Sequence, residues 1–182
     1  NLPTTYRWKG PNNGNWSVAD NWNSQVPGAG NVAVFSDSGS AGATVKLDTD
    51  VTIAGLIFNN RVANQTIAPT TVETLTLDNG TTAASIVTEG GSQTITTAIN
   101  APANIAVNGP ASATLNLNGA ITSGTSGAWD EELIKGPNVV LNGTASWVST
   151  AAHYMVVGSP TGATLTINDN AMIDWSDSWS LF

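Results

Sequence analysis

The 182-residue chain has no cysteine, one histidine and only five lysines and arginines. Without cysteine, disulfide staples, thiolate zinc sites and thiol catalysis are excluded together. That lack does not fix the compartment, but it suits a bacterial exported protein that holds together without disulfides. Five basic residues against 13 acidic ones leave a formal net charge of -8. Such a surface lacks the cationic footprint that phosphate binding requires, so nucleic acid and anionic lipid are poor partners. No apolar run approaches the roughly 18–20 residues of a membrane helix, and no membrane insertion of this segment is expected. The phosphate-cradling pattern G-x-x-x-x-G-K-[ST] does not occur. The chain opens on the polar stretch Asn1 to Tyr6, so any export signal is expected to have been removed already.

Charge of either sign is scarce. Charged residues make up 10% of the chain, against roughly 25% in typical soluble domains. Uncharged polar residues carry the load instead: 24 Thr and 20 Asn, beside 18 Gly. Thr is β-branched and favours strands, while Asn and Gly favour turns. The composition points to an all-β chain with many turns and argues against a helix bundle.

Residues 1–43 differ from the rest and read as a Trp/Asn-rich N-terminal capping segment. They hold Trp8, Trp16 and Trp22, with Asn-Gly, Gly-Pro and Pro-Gly turn signals between them. Ser17 to Trp22 is predicted to form one helical turn with Ser17 as N-cap, followed by a strand over Val32 to Phe35. Residues 44–182 read as a repeat region that is expected to continue beyond the fragment. Short alternating runs recur there: 44–48, 51–58, 73–77, 93–97, 104–108, 114–118, 138–142 and 163–168. Alternation with period two marks a strand with one buried face.

The spacing of these runs is more telling. The series Leu56, Leu75, Ile95, Leu115, Val139, Leu165 advances in steps of 19, 20, 20, 24 and 26. A second series, Leu47, Ile67, Ile86, Ile105, advances by 20, 19 and 19. Such ladders predict the successive coils of a solenoid, in which Leu stacks on Leu and Ile on Ile. The expected fold is therefore a parallel β-helix with the Trp-rich segment covering its first coil; the alternative is a β-sandwich, which has similar strand spacing.

Three stretches resemble bacterial surface and secreted proteins with autotransporter-associated β-strand repeats, including exported proteins with PEP-CTERM-type sorting tails. The first is Trp16-Ser17, Asp20-Asn21-Trp22, Val26 to Asn31 and Ala33-Val34-Phe35. The second is Leu133-Ile134-Lys135-Gly136 with Val139 to Gly143. A third, Val156 to Ser159 with Gly162 to Ile167, is similar to coils of that group. The resemblance implies a right-handed parallel β-helix in a secreted or surface-displayed passenger, and it carries no catalytic residue set.

Residues able to do chemistry are few. Indole faces stack on sugar rings, so Trp129, Trp147, Trp175 and Trp179 are the candidate glycan-binding residues where they are exposed. Trp8, Trp16 and Trp22 are expected to close the end of the column. Asp48 and Asp50, Asp130-Glu131-Glu132, and Asp174 with Asp177 offer oxygen ligands without a calcium-loop motif, and solvated acidic turns are the expectation. His153 is the lone histidine and lies outside any nucleophile elbow. Thr and Asn at equivalent coil positions are expected to form hydrogen-bonded ladders. Rows through Thr76, Thr96 and Asn116 also raise the idea of a water-lattice-matching face.

The expectation from sequence is a non-catalytic extracellular β-helical domain of a bacterial surface or secreted protein. Its role would be adhesion or display, its partner an extracellular glycan or a host or matrix surface, and it would need no cofactor and no metal. The alternative is a carbohydrate-binding module attached to a polysaccharide-degrading enzyme.

Overall fold

A computed structural model describes residues 3–37, 42–61, 63–124, 131–150, 154–158 and 162–175. Alternation in these segments produces strands, and the strands pair in parallel into three sheets. The first sheet is built from β1 (Thr4–Arg7), β3 (Asn31–Ser36), β6 (Gly55–Asn59), β9 (Ala84–Thr88), β12 (Ile105–Asn108), β15 (Glu131–Lys135) and β18 (Tyr154–Val157). The second holds β2 (Gly14–Asn15), β4 (Thr44–Leu47), β7 (Thr66–Pro69), β10 (Ser92–Ile95), β13 (Thr114–Leu117), β16 (Asn138–Leu141) and β19 (Thr164–Ile167). The third holds β5 (Val51–Ile53), β8 (Thr74–Leu77), β11 (Ala98–Ala101), β14 (Ile121–Ser123), β17 (Ser146–Ser149) and β20 (Met172–Trp175).

The chain thus visits the three sheets in turn and climbs one strand on each circuit. Parallel pairing with such a connection is a β-solenoid: six complete three-strand rungs above a first, two-strand one. The sandwich alternative is overturned, because every pairing between the named strands is parallel.

Register makes the core. In the first sheet, Ala33, Leu56, Ile86, Val107, Ile134 and Val157 lie one above another. In the second, Val45, Ile67, Ile95, Leu117, Leu141 and Ile167 do the same. The members from Ala33 to Ile134 and from Val45 to Leu141 are buried. Each Val, Leu or Ile among them buries apolar area worth about 1.5–3 kcal/mol, and only stacking makes that burial complete.

These columns differ from the ladders read off the sequence. The second-sheet column advances by 22, 28, 22, 24 and 26 residues rather than about 20. A step near 20 falls short of a circuit, so Leu56, Leu75 and Ile95 belong to the first, third and second sheets respectively. The later members Leu115, Val139 and Leu165 do share a column.

The described strands before residue 44 belong to the same sheets as the rest: β1 and β3 lie in the first sheet and β2 in the second. Where the first rung would carry its third strand, the chain makes a short 3₁₀ turn over Ala19–Asn21 instead. Ser17 does not cap that turn. Its hydroxyl donates to Asp48 Oδ2 at 2.6 Å and its amide to Oδ1 at 3.0 Å, tying the first rung to the second.

Candidate functional site

Three tryptophans converge on the first rung. Trp8 and Trp22 meet edge-on with centroids 5.1 Å apart, and Trp16 meets Trp22 at 4.8 Å. All three touch Phe35, which stacks on Phe58 one rung higher at 5.5 Å. Trp22 Nε1 donates to the Trp16 carbonyl at 2.8 Å. The indoles are buried, so this cluster closes the column and offers no face to a ligand. Glycine allows the closure: a Cβ on Gly10 would stand 2.5 Å from Trp8 Cζ2 and 2.7 Å from Asn21 Cγ.

Trp147 is the one ligand candidate from sequence whose side chain is described, and it too is fully buried. Its Nε1 donates to Ser123 Oγ at 3.0 Å. An indole enclosed on both faces cannot stack on a sugar, so Trp147 is a core residue. It faces inward because it occupies the alternate position of β17 in register with Ile121. Trp129, Trp179, Asp130, Asp177 and His153 lie outside the described residues, as does the side chain of Trp175.

Trp147 leads to a buried carboxyl that the sequence reading placed in a solvated turn. Glu132 occupies an inward position of β15, pairs with Met155 on the next rung, and is fully buried. Its Oε2 accepts the Ile105 amide at 2.7 Å, whereas Oε1 has no hydrogen-bond partner among the described residues. Burial pushes the carboxyl up to about 7, and hydrogen bonds from Ser123 and the Ile105 amide pull the other way without offsetting it. Only its place in the strand alternation could have disclosed this, and the three consecutive acids conceal it.

The other carboxylates tie segments together. Partial burial works to raise the Asp48 carboxyl, but its hydrogen bonds from Ser17 outweigh that and hold it below the ordinary value. Asp50 Oδ1 accepts the Thr74 amide at 2.9 Å. Glu73 accepts both the amide and the hydroxyl of Thr71, which lowers it.

The outward positions give the three sheets different characters. The first mixes apolar and polar side chains on its outer side, with Val32, Ile57, Val87, Leu133 and Val156 beside Ser85, Asn108 and Lys135; a shallow cavity of about 140 Å³ lies there over Gly55 and Ser85. The third carries Thr52, Thr76, Asn100, Thr122, Val148 and Asp174 in one row.

The second sheet is uncharged from β10 to β19. Thr94, Asn116, Val140 and Thr166 form one outer row. Beside it, Ser92, Thr114, Asn138 and Thr164 form another. At the edge, Asn168 Nδ2 donates to Asn142 Oδ1 and Asn142 Nδ2 to Asn118 Oδ1, each at 3.0 Å. Asn116 Nδ2 donates to Ser92 Oγ at 2.8 Å, and Thr164 Oγ1 to Asn138 Oδ1 at 2.6 Å. The expected ladders exist, but their membership differs: Thr76 belongs to the third sheet.

Fold and surface together define the class: a parallel β-solenoid with an aromatic first-rung closure. Comparison with family models, curated proteins and solved structures finds no match. Among the described residues, no helix is long and apolar enough to cross a membrane.

Proposed function

We propose that this chain is a non-catalytic β-helical domain of a bacterial surface or secreted protein, serving adhesion or display toward an extracellular glycan. The observation that supports the reading most is the uncharged plane of hydroxyls and amides on the second sheet, held in register over four rungs. A stacked column is rigid along its length and presents such a plane without loops that must order on binding. The resemblance of residues 16–35 to exported repeat proteins points the same way. Antibodies raised against the chain should label intact cells of the producing bacterium, or its culture medium. Protein confined to the cytoplasmic fraction would overturn the reading.

A further inference from the structure

We propose that the outer plane of β10, β13, β16 and β19 binds a neutral polysaccharide chain laid along the solenoid axis. The inference rests on the display reading above and adds the ligand class and the site.

Charge decides the ligand class. The chain carries a net charge of -8, yet no outward position of these four strands is Asp, Glu, Lys or Arg. An acidic polymer finds no cation in this plane and is repelled by the rest of the surface, and a basic one finds no carboxylate. What the plane offers is hydrogen bonding in a repeating array. A side-chain amide has two N–H groups and two carbonyl lone pairs. Asn142 uses one N–H toward Asn118 and one lone pair toward Asn168, which leaves one of each for a ligand. Sugar hydroxyls are donors and acceptors at once and match that mixture.

The ladder also prepares the site. Amides already held by their neighbours lose little freedom when a ligand arrives, which reduces the ordering cost of binding. Strands stand about 4.8 Å apart, so four rungs present this array over roughly 14 Å, enough for a few sugar residues in an extended chain. Val140, at the centre of the row, supplies an apolar contact for a sugar face.

The test is retention of the purified chain on insoluble cellulose, β-1,3-glucan and mannan, with a polygalacturonate matrix as the acidic comparator. Retention on at least one neutral polymer that persists at high salt is expected. Thr94→Lys with Thr166→Lys should weaken it about tenfold or more, as should Asn142→Ala, which removes the ladder's middle amide. Thr52→Lys with Thr122→Lys, on the exposed outer row of the third sheet, should leave it unchanged. Circular dichroism and thermal melts check that each variant is folded. Retention unaffected by the second-sheet variants overturns the site while the display reading stands on its own labelling test. Retention on the acidic polymer only, or on none, overturns the inference. So does freezing-point depression without polymer binding, which would assign the plane to a water lattice.

Discussion

Glu132 shows what one inward position imposes. A buried carboxyl beside Ile105 and Met155 is favoured when neutral, and its folded pKa of about 7 lies above the ordinary value of 4.5. The native state therefore keeps a proton that the unfolded chain releases. Stability from this group is fully present below about pH 4.5 and is lost as the pH rises through 7. The displacement corresponds to about 3 kcal/mol as an upper bound. Glu132→Gln keeps the shape and removes the charge, so it should stabilise the protein at pH 8 by about 1–3 kcal/mol and little at pH 4. Urea unfolding of both proteins at the two pH values measures this; a parallel pH dependence in the variant would contradict it.

At the scale of elements, the aromatic closure and the strands follow different rules. Trp22 touches both other indoles and Phe35, so Trp22→Ala should cost about 3–5 kcal/mol. It should also promote association, since it uncovers the end of the column. A denaturant midpoint and light scattering check the two effects. Strands such as 114–117 and 164–167 were legible because four residues show a full alternation. That over 121–123 was not, since three residues give too short a pattern. The tract 51–58 reads as one strand, yet the chain turns a corner at Ala54 and supplies two sheets. At a corner, consecutive residues are all buried: Ile53, Ala54, Gly55 and Leu56 break the alternation that would have marked it. Gly55 is needed there, because a Cβ would stand 2.8 Å from the Ser85 carbonyl. The candidate site was less legible than the fold. Alternation in 93–97 and 114–118 shows which Thr and Asn point outward, but their grouping depends on corner lengths that sequence does not fix.

Across the whole molecule, cohesion comes from neighbouring rungs alone. The middle rungs are covered on both sides and their inward residues are buried. On the last described rung, Val157 is 40% exposed and Ile167 48%. Local opening should follow that gradient. Amide exchange is expected to be slowest in β6 to β17 and fastest in β18 to β20, with the Trp-closed first rungs retaining protection. Uniform exchange along the column would mean that the rungs open together rather than in sequence.

The inter-strand hydrogen bonds run parallel to the column axis, while the backbone runs around it. Tension applied between the first and last rungs would therefore load these bonds one row at a time, like a zipper. Each rung released would add roughly 80 Å of slack. Such a column would yield in small steps under load and keep its remaining rungs intact.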